Sequence, residues 1–592
     1  MKKELLMGNE AIARGAVEAG VSFVSAYPGT PSSEIPATIA KIADRYGIYM
    51  EYSTNEKVAL EVGIAASWSN LRTMVTMKHV GVNVAADPLM TLAYTGTEGG
   101  FVLVSADDPS MHSSQNEQDN RYYAKLANIP CLEPSSPQEA KDMTIKAFEI
   151  SEKFKLPVIL RPTTRVSHSR GDVVLGDIRE KNSVKWEKDP KRKVTLPANA
   201  RVHHIELLEK MEKVGEYFEG SEFNWIEGSG DLGIIASGVS YNYVKEAINY
   251  LGIKAEVLKL GTMHPLPRKT ILSFMKKHGE ILVVEEMEPI VETEAKKIAQ
   301  EEEIKVKIRG KDILPRYYEY STMQVAEAIG KLVGKDVKIN SIDVSEYMVP
   351  RPPVLCPGCP HRASFYALKK AVPDGIYPSD IGCYTLGALP PLSAVDTCIC
   401  MGGSIGIACG LSKALKDKKI VTTIGDSTFF HTGLPAMVNG VYNKDDFTIF
   451  LLDNRTTAMT GHQPHPGTGK TATGKDTPIL YPEKIAESIG VFTRVVDPYN
   501  LEETIKALKE AVEHKGVSMV VARRECALIR KTKSEPYYID EEKCIHCFTC
   551  VNKLGCPAIV RDGDRVYIDE KFCTGCGVCA QVCPVQAIKV RK

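Results

Sequence analysis

Sixteen cysteines stand in this 592-residue chain, and their placement constrains the fold more than any other feature. Only Cys131 lies in the first 355 residues, whereas eight fall between Cys544 and Cys583. Disulfide scaffolds of that density belong to small secreted chains, so in a chain this long the clustered thiols read as ligands or redox groups. They form two runs, Cys544-x2-Cys547-x2-Cys550-x5-Cys556-Pro557 and Cys573-x2-Cys576-x2-Cys579-x3-Cys583-Pro584. Thiols at such short intervals leave little room for apolar packing. Segment 536–592 is therefore expected to be a small domain held by something other than a core, and to need its ligand in order to fold.

The second run resembles the spacing of bacterial ferredoxins, in which three cysteines hold one cubane and the fourth ligates the other. The first run has five residues in its last gap where three are usual, which lengthens a loop without removing a ligand. Crossed ligation assigns Cys544, Cys547, Cys550 and Cys583 to one [4Fe-4S] cluster. Cys573, Cys576, Cys579 and Cys556 go to a second. Two four-cysteine zinc sites are the alternative, and they fit poorly because zinc ribbons space their ligand pairs farther apart.

Upstream of residue 536 the chain alternates helix-like and strand-like pieces, the pattern of parallel sheets covered by helices. The expected organisation is a first α/β domain over 1–165, a polar, irregular connection over 166–230, a second α/β domain over 231–345 and a third over 350–535. Lys+Arg and Asp+Glu number 74 each, so no basic surplus speaks for a nucleic-acid partner. No apolar stretch is long enough to span a bilayer, and the N-terminus lacks the apolar region of a signal peptide, so a cytoplasmic location with no membrane partner is expected.

After the strand VTTI comes Gly425-Asp426-Ser427, and after a further strand Asp453-Asn454. This pair resembles the thiamine-diphosphate motif GDG…NN, with Ser427 for the last Gly and Asp453 for the first Asn. A diphosphate is held through a divalent cation, and Mg²⁺ takes hard oxygen ligands. Asp426 offers a carboxylate and Asn454 an amide oxygen; the resemblance adds the Thr456 carbonyl as third ligand. Gly402, Gly403, Ser404 and Ile405 open an apparent helix, whose N–H groups and dipole suit phosphate. Gly469-Lys470-Thr471 imitates the end of a P-loop, but Pro464 stands where that motif needs a glycine.

The first 165 residues resemble the pyrimidine domain of the 2-oxoacid:ferredoxin oxidoreductases. The resemblance implies an activating carboxylate at a helix start, which points to Glu56 rather than Glu61 in YSTNEKVALEVGIAAS. It also implies that Thr30, in Tyr27-Pro28-Gly29-Thr30-Pro31-Ser32, contacts the 2-oxoacid carboxylate. His79 and His462 are expected to line the same cavity. Without the resemblance, the glutamates read as surface helix charges and the turn as a Pro-rich loop. Cys356, Cys359, Cys383 and Cys526 resemble the family's CPGC…GC…C set, which leaves open a third [4Fe-4S] cluster, packed thiols being the alternative. Cys398, Cys400 and Cys409 look like small core residues.

With GTMHPLP, VVEEMEP, CPGCPHR and TAMTGHQPHPGTG the likeness extends over the whole chain, to the large subunits of the family's indolepyruvate branch. It implies an α/β multidomain fold: pyrimidine and diphosphate domains of the thiamine-diphosphate-binding fold, a transketolase C-terminal-like domain, and a C-terminal 2[4Fe-4S] ferredoxin-like domain. The implied activity is oxidative decarboxylation of aryl pyruvates such as indolepyruvate with coenzyme A, giving aryl-acetyl-CoA and CO2. Thiamine diphosphate, Mg²⁺ and the clusters are the implied cofactors and ferredoxin the acceptor, which fits the lack of a Rossmann fingerprint for NAD. A smaller beta subunit would complete a hetero-oligomer. Three rival readings remain: an oxidoreductase for pyruvate or a branched-chain 2-oxoacid, a non-redox thiamine-diphosphate decarboxylase with structural clusters, and a non-enzymatic electron-transfer subunit.

Overall fold

The structure, a computed structural model, describes residues 2–337, 342–530 and 534–590. It divides into two compact units, Met1–Asp343 and Val344–Lys592.

The first unit is built on a seven-stranded sheet. Its order is Thr262–His264, Cys131–Leu132, Val158–Leu160, Phe101–Ala106, Thr73–Lys78, Phe23–Ala26 and Tyr49–Tyr52. All pairings are parallel except that of Thr262–His264. The central strand FVLVSA is buried throughout, as a strand covered on both faces must be. Helices flank the sheet; Pro137–Phe154 begins with proline after Ser136, whose side chain accepts from Glu139 N at 3.2 Å. At the carboxyl edge, Phe23–Ala26, Tyr49–Tyr52, Thr73–Lys78 and Phe101–Ala106 each release a loop or helix. In open parallel sheets this edge is where ligands bind.

A second sheet runs Lys307–Arg309, Glu280–Val284, Gly233–Ser237, Glu256–Leu260 and Trp225–Gly228, only the last antiparallel. Buried arginines tie it to the first. Arg121 binds Asp119 at 2.6 Å and Glu285 at 2.7 Å, while Arg161, held by Asp107 at 2.7 Å and Glu133 at 2.9 Å, reaches Met287 Sδ at 3.4 Å. The stretch 166–230, expected to be irregular, contains more order than its polarity suggests. Arg170–Val174 pairs with Lys3–Met7, and Pro197–Phe218 is a helix that buries Leu207, Met211, Val214 and Phe218. Its outer face also carries the apolar Val202, Ile205 and Leu208, which blurs the helical period in the sequence.

The second unit has a parallel sheet of order Val421–Gly425, Phe447–Asp453, Val517–Arg523, Phe492–Val496. In the cysteine-rich tail, Tyr537–Ile539 pairs with Ile588–Val590 and Ile559–Asp562 with Arg565–Ile568. The expectation of a coreless tail needs correction. Ile559, Val566, Ile568, Val578, Val582 and Ile588 are buried in one apolar cluster with Leu355, Phe365, Leu368 and Leu508. The tail borrows the core of the α/β domain before it. The thiols Cys398 and Cys400 also differ from expectation: the first is partly exposed and the second exposed, with only Cys409 buried.

Candidate cofactor sites

Four successive strands bring Thr30, Glu56, Lys78, His79 and Asp108 to the carboxyl edge of the first sheet. Glu56 is the first residue of the helix Glu56–Trp68, capped by Asn55, whose side chain accepts from Val58 N at 2.9 Å. It is 5% exposed, whereas Glu61, five residues on, is exposed and paired with Lys57. Burial thus separates two glutamates that the sequence leaves alike. Glu56 rests against Gly81, where an added Cβ would lie 2.7 Å from its Oε1. His79 is fully buried, with Nε2 3.2 Å from the Asn116 carbonyl; burial and the adjacent Lys78 push it down to about 4. Thr30 is partly exposed, and its carbonyl accepts from Ser113 Oγ at 3.3 Å. His462, expected beside these groups, belongs to the second unit, in the loop after Asn454.

In the second unit, Asp426 and Asn454 stand at the carboxyl ends of the neighbouring strands Val421–Gly425 and Phe447–Asp453. Asp426, Asn454 and Thr456 are all buried. Asp426 Oδ1 accepts from Ser427 N at 2.9 Å, but Oδ2 makes no hydrogen bond. His465 Nε2 lies 3.1 Å from that oxygen, out of line for one. Burial raises the Asp426 carboxyl, yet the His465 charge and the Ser427 amide bring it below the usual range. A buried carboxylate oxygen lacking a hydrogen bond is the donor a divalent cation requires, so this oxygen set fits a metal-bound diphosphate. Arg455, between Asn454 and Thr456, holds a left-handed φ of 61°, and its guanidinium donates to Gly467 O at 2.8 Å. Asp453, the carboxylate where the motif has asparagine, binds Arg523 at 2.7 Å. Burial and Asp426 push it up to about 6, against the opposing pull of Arg523 and Arg455.

The Gly-rich turn is only partly free for a phosphate. Gly402 N and Ser404 N donate to the two oxygens of buried Asp380, at 2.6 and 3.0 Å, and Gly403 N donates to Cys400 O at 3.0 Å. Gly402 has φ +82°, and a Cβ there would sit 1.5 Å from Thr432 Oγ1, so only glycine fits. Ile405 points into the core. Gly425 packs against Tyr384, whose hydroxyl donates to Thr428 Oγ1 at 3.0 Å.

The cysteines ring two cavities. One is lined by Cys544, Cys547, Cys550 and Cys583, the other by Cys556, Cys573, Cys576 and Cys579. These are the quartets that crossed ligation demands. Cys359 joins the second lining, beside Arg362. Arg362 Nη1 donates to Leu554 O at 3.0 Å and Gly555 O at 2.6 Å, and Nη2 to Leu355 O. Cys356, Cys383 and Cys526 lie within electrostatic reach of one another, and Cys526 N donates to Asn454 O at 3.0 Å. Sequence reasoning missed Asp380, His465 and Lys78. His361, whose Nε2 is 3.3 Å from Asn454 Nδ2, escaped as well although it follows the Cys356–Cys359 motif directly.

Comparison with known proteins agrees with this geometry. The family described as "Pyruvate flavodoxin/ferredoxin oxidoreductase, thiamine diP-bdg" matches residues 14–215. "Thiamine pyrophosphate enzyme, C-terminal TPP binding domain" matches 380–522, "Transketolase, C-terminal domain" 224–330 and "4Fe-4S binding domain" 566–589. Two thiamine-diphosphate domains and an iron–sulfur domain on one chain define the oxidoreductase class. Indolepyruvate oxidoreductase subunit IorA of Thermococcus kodakarensis is 52% identical, over 100% of this chain and 97% of that protein. Those of Pyrococcus abyssi and Archaeoglobus fulgidus are 53% and 50% identical, again over all of this chain and 97% and 98% of theirs. The chain belongs to the IorA family of indolepyruvate oxidoreductase subunits.

Proposed function

We propose that the chain is the large, thiamine-diphosphate-binding subunit of an oxidoreductase that decarboxylates aryl pyruvates, indolepyruvate foremost, with coenzyme A as acyl acceptor and ferredoxin as electron acceptor. A smaller beta subunit completes it, and the reaction takes place in the cytoplasm. The observation that carries this reading is the presence, in one compact unit, of two crossed cysteine quartets and a buried Asp426–Asn454–Thr456 set. Bound thiamine diphosphate supplies the electron sink that lets a 2-oxoacid lose CO2, and [4Fe-4S] clusters accept single electrons.

The chain's own residues then have separable tasks. Asp426, Asn454 and the Thr456 carbonyl hold Mg²⁺, with Gly425 and Ser427 shaping the turn. Gly402, Gly403, Ser404 and Ile405 form the wall beside the diphosphate, and Asp380 fixes that wall by holding two of its amides. Glu56, buried at a helix start, hydrogen-bonds the pyrimidine. Thr30 and His79 line the substrate side, and His462 belongs to the loop that closes the diphosphate side. Cys544, Cys547, Cys550 and Cys583 hold one cluster; Cys556, Cys573, Cys576 and Cys579 hold the other. Cys356, Cys359, Cys383 and Cys526 are the candidate ligands of a third.

The test is acceptor reduction by anaerobically prepared enzyme with its partner subunit, given indolepyruvate, phenylpyruvate or pyruvate. Aryl pyruvates should be the better substrates. A cofactor-replete enzyme that reduces neither ferredoxin nor viologen with any 2-oxoacid overturns the reading. Asp426→Ala should abolish turnover and leave the brown iron–sulfur colour. Glu56→Gln should bind thiamine diphosphate but exchange its C2 proton slowly; normal exchange would move that role elsewhere.

A further inference from the structure

Lys78 ends the strand Thr73–Lys78 and precedes His79. Its stem runs beneath the Tyr27–Ser32 turn, so close that a Cβ on Gly29 would lie 2.9 Å from Lys78 Cγ and 3.0 Å from Cδ. The ammonium donates to Ser113 O at 3.0 Å, and the Ser113 hydroxyl donates to Thr30 O at 3.3 Å. Lys78 is thereby tied to the turn that carries Thr30. Among the described residues it makes no ion pair. Burial pushes it down to about 8, opposed by the more distant charges of Asp108 and Glu56. Asp108 is itself occupied by Ser113 N, Ser114 Oγ and Thr164 Oγ1 at 2.9, 2.6 and 2.7 Å.

Lys78 is partly exposed, and among the described residues its ammonium has one neutral acceptor, the Ser113 carbonyl, which leaves donors for a further partner beside the Thr30 turn. The partner that best fits those donors is an anion with two oxygens. We propose that the Lys78 ammonium, together with Thr30, binds the carboxylate of the 2-oxoacid and so selects 2-oxoacids over neutral carbonyl compounds. This rests on the function proposed above. Lys78 lies at the same sheet edge as Glu56, so a carboxylate anchored there keeps the rest of the substrate near the pyrimidine side.

The experiment measures equilibrium binding of an inert 2-hydroxy acid, the aryl lactate, and of its uncharged amide to the cofactor-loaded complex. Wild type, Lys78→Met and Lys78→Arg are compared. The wild type should prefer the acid. A charge-assisted hydrogen bond is worth about 1.5–3 kcal/mol, so Lys78→Met should weaken acid binding roughly 10- to 150-fold and leave the amide unchanged. Lys78→Arg should keep most of the preference, and KM for the 2-oxoacid should rise more than kcat falls. A wild type that does not discriminate acid from amide overturns the proposal whether or not the variants fold. So does a Lys78→Met protein that binds the acid normally, or one that loses acid and amide equally. Slowed thiamine C2 proton exchange with unchanged acid binding would instead make Lys78 a positioning residue for Glu56. A wild type that reduces an acceptor with 2-oxoacids while failing the binding test separates this proposal's failure from that of the function.

Discussion

His546 and Phe548 in the first cysteine run, and Gly575 and Gly577 in the second, hold matching places in their C-x2-C-x2-C loops. All four have left-handed backbones, with φ of 51°, 52°, 71° and 76°. One backbone path is therefore written twice, once with bulky residues and once with glycine. The surroundings explain why. At Gly575 a Cβ would lie 2.7 Å from Glu535 O, and at Gly577 2.9 Å from the Tyr537 hydroxyl. His546 is exposed, so its side chain meets no such wall. The left-handed strain of about 1–2 kcal/mol per residue is partly offset there. His546 Nδ1 lies 2.7 Å from the Asp564 carbonyl, and the Arg561 guanidinium stands 3.9 Å from the Phe548 ring.

The difference extends to the cavities. The quartet of the second run borrows Gly358, Cys359, Arg362 and Ala363 from the α/β domain as part of its wall. Gly358 and Thr574 are in such contact that a Cβ on the glycine would fall 2.0 Å from the threonine Oγ1. The quartet of the first run is lined by the tail alone, and Cys547 and Ile545 are exposed. A duplicated motif thus has one copy walled partly by the α/β domain, its thiols buried or partly exposed, and one that faces outward with the exposed Cys547.

The largest expected effect separates the copies directly. Cys576→Ser and Cys547→Ser should each lower the iron content, but the embedded variant should also lose thermal stability, because its cavity is shared with the α/β core. Equal melting temperatures for the two would erase the distinction. Arg362→Met comes next. It removes charged hydrogen bonds to three carbonyls, Leu355, Leu554 and Gly555. Leaving buried carbonyls unsatisfied costs about 1–3 kcal/mol each, so denaturant unfolding of the second unit should show a loss of at least about 3 kcal/mol. Gly575→Ala should cost about 1–3 kcal/mol, from left-handed strain plus a backbone clash. His546→Gly is the smallest: relief of strain and loss of the Asp564 contact should nearly cancel, leaving stability within about 0.5 kcal/mol. A Gly575→Ala protein as stable as the wild type would show that the two loops are not differently packed.

Some of this was legible residue by residue. The cysteine quartets follow from spacing, since a cubane fixes the intervals between its ligands along a short loop. Asp426 and Asn454 follow from the resemblance of GDS…DN, each part after a strand, to the thiamine-diphosphate motif. Glu56 was favoured by its helix start, but its sequence neighbours are no different in kind from those of Glu61; burial against Gly81 distinguishes them. The tail was misread as coreless because its few apolar residues, Ile559, Val566, Ile568, Val578 and Ile588, are too scattered to suggest packing until the α/β domain supplies the other half of the cluster. The helix Pro197–Phe218 was misread because apolar residues occupy both its faces.

Local chemistry is thus written in the order of residues, because ligand intervals, strand-end carboxylates and turn glycines act over a few positions of chain. Partners far apart along the chain are not. Asp380 on the amides of Gly402 and Ser404, Arg523 on Asp453, and Lys78 beneath Gly29 depend on distances that arise only when separate strands and loops meet. Tertiary packing decided those, since the burial and electrostatic neighbours of a charged group are set by the whole fold and not by its flanking residues.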